Sequence, residues 1–220
     1  FDSFDQGFNA AVEMLALGIK PALLDLTEEE DGILLHLLSE GFKEGVKAQE
    51  KRSMRVCTQA GGRPQGPEPT MAYWEVRRDS AENYKNSALG KPRSVRWSRW
   101  GSRRGFDYLH LALPTSKVLD YRRQADRIMA TEGIKSVEYA IWSRPELFSM
   151  LIVPKSGSQA DARDRLARTV DRVLKLAQDM GGTMEYCHGV GVKLNHLLAR
   201  EMGASHEVVR TLKKTLDPNN

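Results

Sequence analysis

The 220-residue sequence has little cysteine, no long apolar run and almost no excess of charge of either sign. Its two cysteines, Cys57 and Cys187, lie far apart in different contexts, which predicts neither a disulfide framework nor a zinc site and favours a reducing compartment. No apolar stretch approaches the roughly 20 residues that span a bilayer, and no secretion signal opens the chain. These absences indicate a cytoplasmic protein without a transmembrane segment.

Charge is nearly balanced, because 33 Lys and Arg against 29 Asp and Glu leave a net charge of only +4. That excess is too small by itself to imply a polyanionic partner. With 40% apolar and 28% charged residues, the composition is that of a folded protein of one large or two small domains. The chain begins at Phe1, inside a helical pattern, so we expect it to be a piece of a longer protein.

The first 105 residues alternate short helical and extended patterns, separated by turn and loop signals. The opening helix has capping-box spacing, and three prolines exclude regular structure in the first loop. In chain order we predict a helix from Phe4 capped by Ser3, strands at 22–26 and 33–38, a helix at 42–60, a loop at 63–69, a helix at 71–89 and a basic surface loop at 90–105.

Residues 106–186 give the clearest pattern, with a β-α-β-β-α-β order of elements. This order is typical of the split βαβ unit, an antiparallel sheet with helices on one face. We predict strands at 106–113, 137–142, 147–153 and 183–186, with helices at 115–133, the first capped by Thr115, and at 162–177. Because the earlier strands can extend the same sheet, the fold class is α+β with a ferredoxin-like core over 1–186, followed by a helical segment over 187–220.

A glycine-rich motif, Gly-Gly-Thr-Met-Glu-Tyr-Cys-His-Gly-Val-Gly, occupies residues 181–191 and leads into a helical pattern. Glycines at 189 and 191 let the backbone approach a ligand closely, and N–H groups at the start of a helix attract electron-rich groups. His188 lies at this junction. From the pattern alone, a strand-to-helix turn without a ligand is an equally good interpretation.

The motif at 181–191 resembles Gly-Gly-x(5)-His-Gly-(Val/Ile)-Gly of FAD-linked oxidases of the vanillyl-alcohol-oxidase type, which include glycolate oxidase, D-lactate dehydrogenase and alkylglycerone phosphate synthase. The stretches 1–4, 18–22 and 38–46 are also similar to that family, as is the closing Leu-Lys-Lys-Thr-Leu-Asp-Pro-Asn-Asn at 212–220. The resemblance implies a flavoenzyme whose N-terminal FAD-binding domain, absent from this chain, lies in cis. The C-terminal part would cover the isoalloxazine ring, form the substrate pocket and return to the FAD site through residues 187–220.

The resemblance also implies roles for particular residues. It places His188 beside the flavin, where an imidazole can bind a substrate anion or move a proton, and Tyr186 would point into the same pocket from an alternating strand. Gly189, Gly191 and Asn219 are, with His188, the expected FAD contacts. The catalytic residues implied are therefore His188 and Tyr186.

A small anionic substrate would meet basic side chains. Trp74 and Arg78 resemble the Trp-x-x-x-Arg pattern of the family, whose guanidinium fits a carboxylate or phosphate by paired hydrogen bonds. Arg77 is the rival position, and a solvated helix face is an equal alternative. Lys193 is a further expected substrate contact.

Cys187 departs from the family pattern, because relatives similar to glycolate oxidase have Glu before the matching histidine and alkylglycerone phosphate synthase has His. The substrate is therefore left open. As a free cysteine, Cys187 is expected to pack behind the strand, with a redox-active thiol as the lesser alternative. His36, His110 and His206 show no mutual metal-ligand spacing, so no metal site is expected.

Three functional hypotheses follow. The first is the C-terminal portion of an FAD-dependent oxidoreductase that oxidises a 2-hydroxy acid of the glycolate or D-lactate type by hydride transfer to the flavin, inactive without its other half. The second is an alkylglycerone-phosphate-synthase-like flavoenzyme whose basic loop binds a phosphate head group. A homodimer is compatible with either.

The third hypothesis is a non-catalytic nucleic-acid or protein-binding module. It rests on seven Lys or Arg and no acid between Asn83 and Phe106, interleaved with Trp97 and Trp100. Attraction of an anionic substrate is a simpler use of this charge, so no nucleic acid is expected.

Overall fold

The computed structural model describes residues 1–92 and 105–219. Its α-helices are α1 Phe4–Ala16, α2 Lys43–Gln59, α3 Glu68–Val76, α4 Asp79–Tyr84, α5 Val118–Thr131, α6 Gln159–Asp179, α7 Gly191–Met202 and α8 Ser205–Leu216. Its strands are β1 Leu23–Glu29, β2 Gly32–Leu38, β3 Asp107–Ala112, β4 Ile134–Trp142 and β5 Leu147–Pro154. A π-helical turn, Lys85–Leu89, follows α4, and a 3-10 turn, Thr115–Lys117, precedes α5.

The five strands form one antiparallel sheet in the order β2-β1-β4-β5-β3. The predicted last strand is reduced to a single bridge between Thr183 and Ala112, beside β3. Together with that bridge, the pairing among β3, β4 and β5 is that of a split βαβ unit. The sheet is extended beyond β4 by β1 and then β2. The predicted α+β fold, with an antiparallel sheet packed against helices, is confirmed.

Alternate residues of each strand point to opposite faces of the sheet, and one face is apolar. Phe148 of β5 lies at its centre, where its ring meets Phe4 of α1 edge-on at 6.1 Å and Tyr121 of α5 at 5.9 Å. The Tyr121 hydroxyl is fully buried and donates to the carbonyl of Val173 in α6 at 3.1 Å, so this buried hydroxyl has a hydrogen-bond partner. Burying one such aromatic side chain contributes about 1.5–3 kcal/mol. Helices α1, α5 and α6 are thereby held on this face.

The opposite face, called the polar face below, carries several titratable and hydroxyl side chains among its apolar ones. The strand residues that form it include Asp25, His36, Tyr108, His110, Glu138 and Ser149. Helix α3 packs here against β2, since the Tyr73 ring stacks on the His36 ring at 4.4 Å. Because burying a polar group is costly unless it is hydrogen-bonded, the buried side chains of this face need hydrogen-bond partners.

Several predicted boundaries were confirmed and others were wrong. Ser3 caps α1 and accepts the N–H of Gln6 at 3.3 Å, as predicted. Thr115 does not cap a helix: it begins the 3-10 turn, and α5 has no side-chain cap. The single helix predicted at 71–89 is divided into α3, α4 and the π-helical turn.

The predicted basic loop at 90–105, with Trp97 and Trp100, falls almost entirely outside the described residues. The proposed domain limits at 186 and 187 stay a prediction. Within residues 1–92 and 105–219, no helix combines the length and apolar character needed to cross a bilayer.

Candidate active site on the polar face of the sheet

The segment between α6 and α7 is shaped by one carboxylate. Glu185 Oε1 accepts the backbone N–H groups of Cys187 at 2.8 Å and His188 at 3.0 Å, and the Glu185 side chain is only 9% exposed. Burial alone would raise the pKa of Glu185, but these hydrogen bonds outweigh it and hold the pKa below its usual range. Glu185 is therefore an ionised residue that folds the chain into a turn, which is why residues 183–186 do not continue as the predicted strand.

His188 projects from this turn, and its side chain is 67% exposed. Its Nδ1 lies 3.6 Å from Glu185 Oε1 and 3.1 Å from Cys187 Sγ. Its ring centroid is 4.7 Å from that of His110 on β3. Two imidazoles that are distant in sequence thus meet at the edge of the polar face.

The Nδ1 side of His110 is anchored by two successive hydrogen bonds. Its Nδ1 lies 2.8 Å from Ser149 Oγ, and that oxygen lies 3.1 Å from the Tyr186 hydroxyl. Burial, followed by the neighbouring His188, lowers the pKa of His110 below its usual value. Burial raises the pKa of Tyr186 to about 12, so the phenol keeps its proton at neutral pH. Tyr186 reaches the site as expected, although from a turn and not from a strand.

Further polar groups continue the site across the sheet. The Tyr108 ring lies 4.4 Å from His110, and its hydroxyl donates to Glu138. Burial raises the pKa of Glu138 above its usual range. Asp25, which is also buried, is near enough for its charge to raise the pKa of Tyr186, so the groups on β1 and those around His110 belong to one electrostatic environment.

The predicted basic residues lie at different distances from this cluster. The Arg77 guanidinium lies 3.1 Å from the centre of the Trp74 ring. Its positive charge favours the ionised form of Asp25 at the polar face and so opposes the rise in the pKa of Asp25. Arg78 is exposed, and its side chain makes no hydrogen bond or ion pair within the described ranges. Of the two rival positions, Arg77 is the one that the structure turns toward the polar face.

The two remaining predicted contacts lie near the chain's end. Lys193, in the first turn of α7, pairs with Asp107 at the start of β3. Asn219 is exposed beyond α8, and no hydrogen bond in the part of the chain that the structure describes joins it to the His110 and His188 cluster.

Cys187 is exposed, so the prediction that it packs behind a strand was wrong. Both cysteines are free, as predicted. Ligand atoms of Cys187, His110 and His188 lie within 4.8 Å of one another, an arrangement that sequence spacing did not reveal. Burial and the Glu185 carboxylate raise the pKa of the Cys187 thiol to about 11, which opposes the thiolate form that binds metals or attacks electrophiles.

The model of the family of FAD-linked oxidase C-terminal domains matches residues 26–220 of this chain. The chain belongs to this family. No significant match was found among curated protein sequences. The resemblance carried by the glycine-rich motif is therefore confirmed, and the polar face belongs to a domain of flavoprotein oxidoreductases.

The backbone of the turn into α7 is open to an approaching ligand. Gly189 and Gly191 have φ angles of +75° and +54°, which favour glycine, and a Cβ atom at either position would meet no heavy atom within 4 Å. No side chain caps α7, so its first N–H groups are left for an outside acceptor. Open backbone at the start of a helix would accommodate an electron-rich group, such as the edge of a flavin ring.

Proposed function

We propose that this chain is the substrate-side domain of an FAD-dependent oxidoreductase that oxidises a 2-hydroxy acid of the glycolate or D-lactate class. The observation that carries the proposal is the position of His188. It is an exposed imidazole at the start of α7, 4.7 Å from a second imidazole on a polar sheet face. Membership in the FAD-linked oxidase family supplies the reaction type.

Different protein groups would bind the carboxylate and the hydroxyl of the substrate. The His188 ring and the free N–H groups of α7 can donate hydrogen bonds to a substrate carboxylate. Glu185 fixes the His188 backbone, which limits the region that the exposed ring can reach when the substrate binds. The Tyr186 hydroxyl, neutral at physiological pH, can hydrogen-bond the substrate hydroxyl.

When bound, FAD supplies the two-electron acceptor that none of these side chains provides. Gly189, Gly191 and the start of α7 would hold its ring, while Arg77 and Lys193 would add positive charge around an anionic substrate. An FAD-binding domain in cis would complete the enzyme, and the domain by itself is expected to be inactive.

One observation favours a second candidate, an alkylglycerone-phosphate-synthase-like enzyme. The motif of that enzyme has several consecutive histidines, whereas this chain has only His188 at that point. The fold nevertheless brings His110 against His188, which restores a pair of imidazoles in space. Such a pair suits a phosphate head group as well as a carboxylate.

The test uses the complete protein that contains this chain. It should be yellow, and anaerobic addition of a 2-hydroxy acid should bleach its flavin absorbance. Acyl-dihydroxyacetone phosphate is the competing substrate, and a 2-hydroxy acid methyl ester is the control for the carboxylate. A colourless protein would overturn both flavoenzyme proposals, whereas bleaching only by the acyl phosphate would favour the second.

A further inference from the structure

We propose that His110, on strand β3, is the group that takes the proton from the substrate hydroxyl, while His188 binds the substrate carboxylate. This assignment rests on the proposed function and deepens it. It starts from the observation that the two imidazoles, although adjacent, are held in different ways. His110 is half-buried and anchored at Nδ1, whereas His188 is exposed on a turn.

The anchor of His110 is a fully buried hydroxyl. Ser149 Oγ lies between His110 Nδ1 at 2.8 Å and the Tyr186 hydroxyl at 3.1 Å, and Ser149 has no exposed surface. A serine hydroxyl donates one hydrogen bond and can accept two, so with these two partners it either donates to one and accepts from the other or accepts from both. Nε2 of His110 has no hydrogen bond within the described residues and is the nitrogen left for a substrate.

These three groups have three possible hydrogen-bond arrangements, and they differ in whether His110 can act as a base. If Tyr186 donates to Ser149 and Ser149 donates to Nδ1, the proton of His110 is on Nε2, which then cannot accept another. If Nδ1–H donates to Ser149, Nε2 of the neutral ring is unprotonated, whether Ser149 then donates to Tyr186 or also accepts from it. Nδ1 stays a donor after His110 takes up a proton, so this contact persists through the step. We assign Nδ1–H as the donor.

The surroundings of His110 support a neutral ring that is ready to accept a proton. The titratable groups that face it are Tyr108 on its own strand and Glu185, Tyr186, Cys187 and His188 from the turn before α7. Burial and then His188 lower the pKa of His110, and the Glu185 carboxylate opposes them only in part. Near neutral pH, the imidazole is therefore in the form that a general base requires.

The step balances in protons and electrons. The hydroxyl proton of the 2-hydroxy acid passes to His110 Nε2, and the O–H electron pair forms the second bond of the new carbonyl. The hydrogen on the adjacent carbon leaves with its electron pair as hydride, for which the flavin of the proposed function is the oxidant. The products are a 2-oxo acid, a two-electron-reduced flavin and a protonated His110.

The first test reads the tautomer and does not depend on turnover. The complete protein, labelled with ¹⁵N-histidine, is compared with His110→Gln to assign the His110 signals. The expected result near pH 8 is a proton on Nδ1 and none on Nε2. Ser149→Ala, which keeps the imidazole but removes its anchor, should shift the population toward the Nε2–H form. An Nε2–H tautomer in the unaltered protein would overturn the assignment.

The second test separates the two histidines by kinetics. His110→Gln should slow anaerobic flavin reduction by about 10²- to 10³-fold with little change in substrate affinity. His188→Gln should raise the substrate dissociation constant about tenfold and slow reduction less. His206→Gln, on α8, is the matched control, and thermal unfolding of each variant checks that it is folded. If His110→Gln does not fold, Ser149→Ala replaces it in this test. Ser149→Ala should also slow anaerobic flavin reduction with little change in substrate affinity, but by a smaller factor.

The outcomes distinguish this proposal from the one on which it rests. If no 2-hydroxy acid bleaches the unaltered flavoprotein, the proposed function fails and His110 loses its role with it. If bleaching occurs and His110→Gln reduces its flavin at the original rate, only the assignment of His110 fails. Tight binding of Zn²⁺ that is lost in both Cys187→Ala and His110→Gln would also overturn it, because Nε2 would then be occupied by a metal.

Discussion

The Tyr73 hydroxyl donates a hydrogen bond of 2.9 Å to Asp25 Oδ2, and this bond joins helix α3 to the polar face of the sheet. The other oxygen, Oδ1, accepts the N–H of Ser143 at 3.1 Å, in the turn between β4 and β5. Ser143 has a φ of +66°, an unfavourable conformation for a residue with a side chain. One buried carboxyl group thus links a helix, a strand and a strained turn.

Replacing Tyr73 with Phe should lower the free energy of unfolding by about 1–3 kcal/mol, because Asp25 loses a donor while it stays buried. The measurement is chemical denaturation at neutral pH. Phe42→Leu, at a side chain that is 90% exposed, is the control and should change the free energy by less than about 0.5 kcal/mol. Equal losses in both variants would show that the Tyr73 bond does not stabilise the fold.

Asp25→Asn should make stability less dependent on pH. Burial raises the pKa of Asp25 above 3.8, despite opposing effects of Tyr73, Ser143, His36 and Arg77. A raised pKa in the folded state means that the contribution of Asp25 to stability is fully present below pH 3.8 and is lost as the pH rises through the folded-state pKa. Denaturation over a pH series should show the unaltered protein losing stability relative to Asp25→Asn as the pH increases. Parallel curves would contradict the raised pKa.

Glu185→Gln should have the opposite dependence on pH. The pKa of Glu185 is lowered, so its contribution is present above 4.5 and is lost as the pH falls through the folded-state value. At neutral pH the variant should be less stable by about 1–3 kcal/mol, since two N–H groups lose a charged acceptor. The difference from the unaltered protein should shrink in acid. Glu207→Gln, on exposed α8, is the control that should show no such trend.

Gly189→Ala tests whether the turn before α7 serves a ligand. Gly203 is a matched control, because it also has a positive φ and open space around a Cβ atom but lies at the other end of α7. Both variants should lose about 1–2 kcal/mol of stability from backbone strain. Only Gly189→Ala should also weaken substrate-dependent flavin bleaching in the complete protein. Equal bleaching by the two variants would remove Gly189 from the site.

Much of the sheet was predictable because its strands are short, largely apolar runs bounded by turn signals. The runs at 22–26, 33–38 and 147–153 correspond to β1, β2 and β5 for this reason. Residues 183–186 were predicted as a strand from their alternating side chains, but Glu185 accepts hydrogen bonds from the backbone that follows it. A local hydrogen bond of this kind is not visible in the sequence pattern. Thr115 was misassigned because a 3-10 turn and a capped helix have similar sequences.

The candidate site was predictable only where it is continuous in the chain. The motif drew attention to His188 and Tyr186, and the structure places the rings of both near His110. His110 and Ser149 were missed as partners because their proximity depends on the pairing of β3 with β5, which periodicity does not specify. Asp25 was missed for the same reason. The one sequence signal for Glu185 was an acid three residues before His188 in a turn.

Gly182 packs where a Cβ atom would lie 2.6 Å from the carbonyl oxygen of Ala112, at the end of the strand that carries His110. This contact is made by main chain on both sides, and it precedes the turn that carries His188 by only a few residues. Main-chain packing therefore links the two backbone segments that carry the imidazoles. We expect substitutions in the apolar core beneath the sheet to change the stability of the domain more than the distance between these two segments.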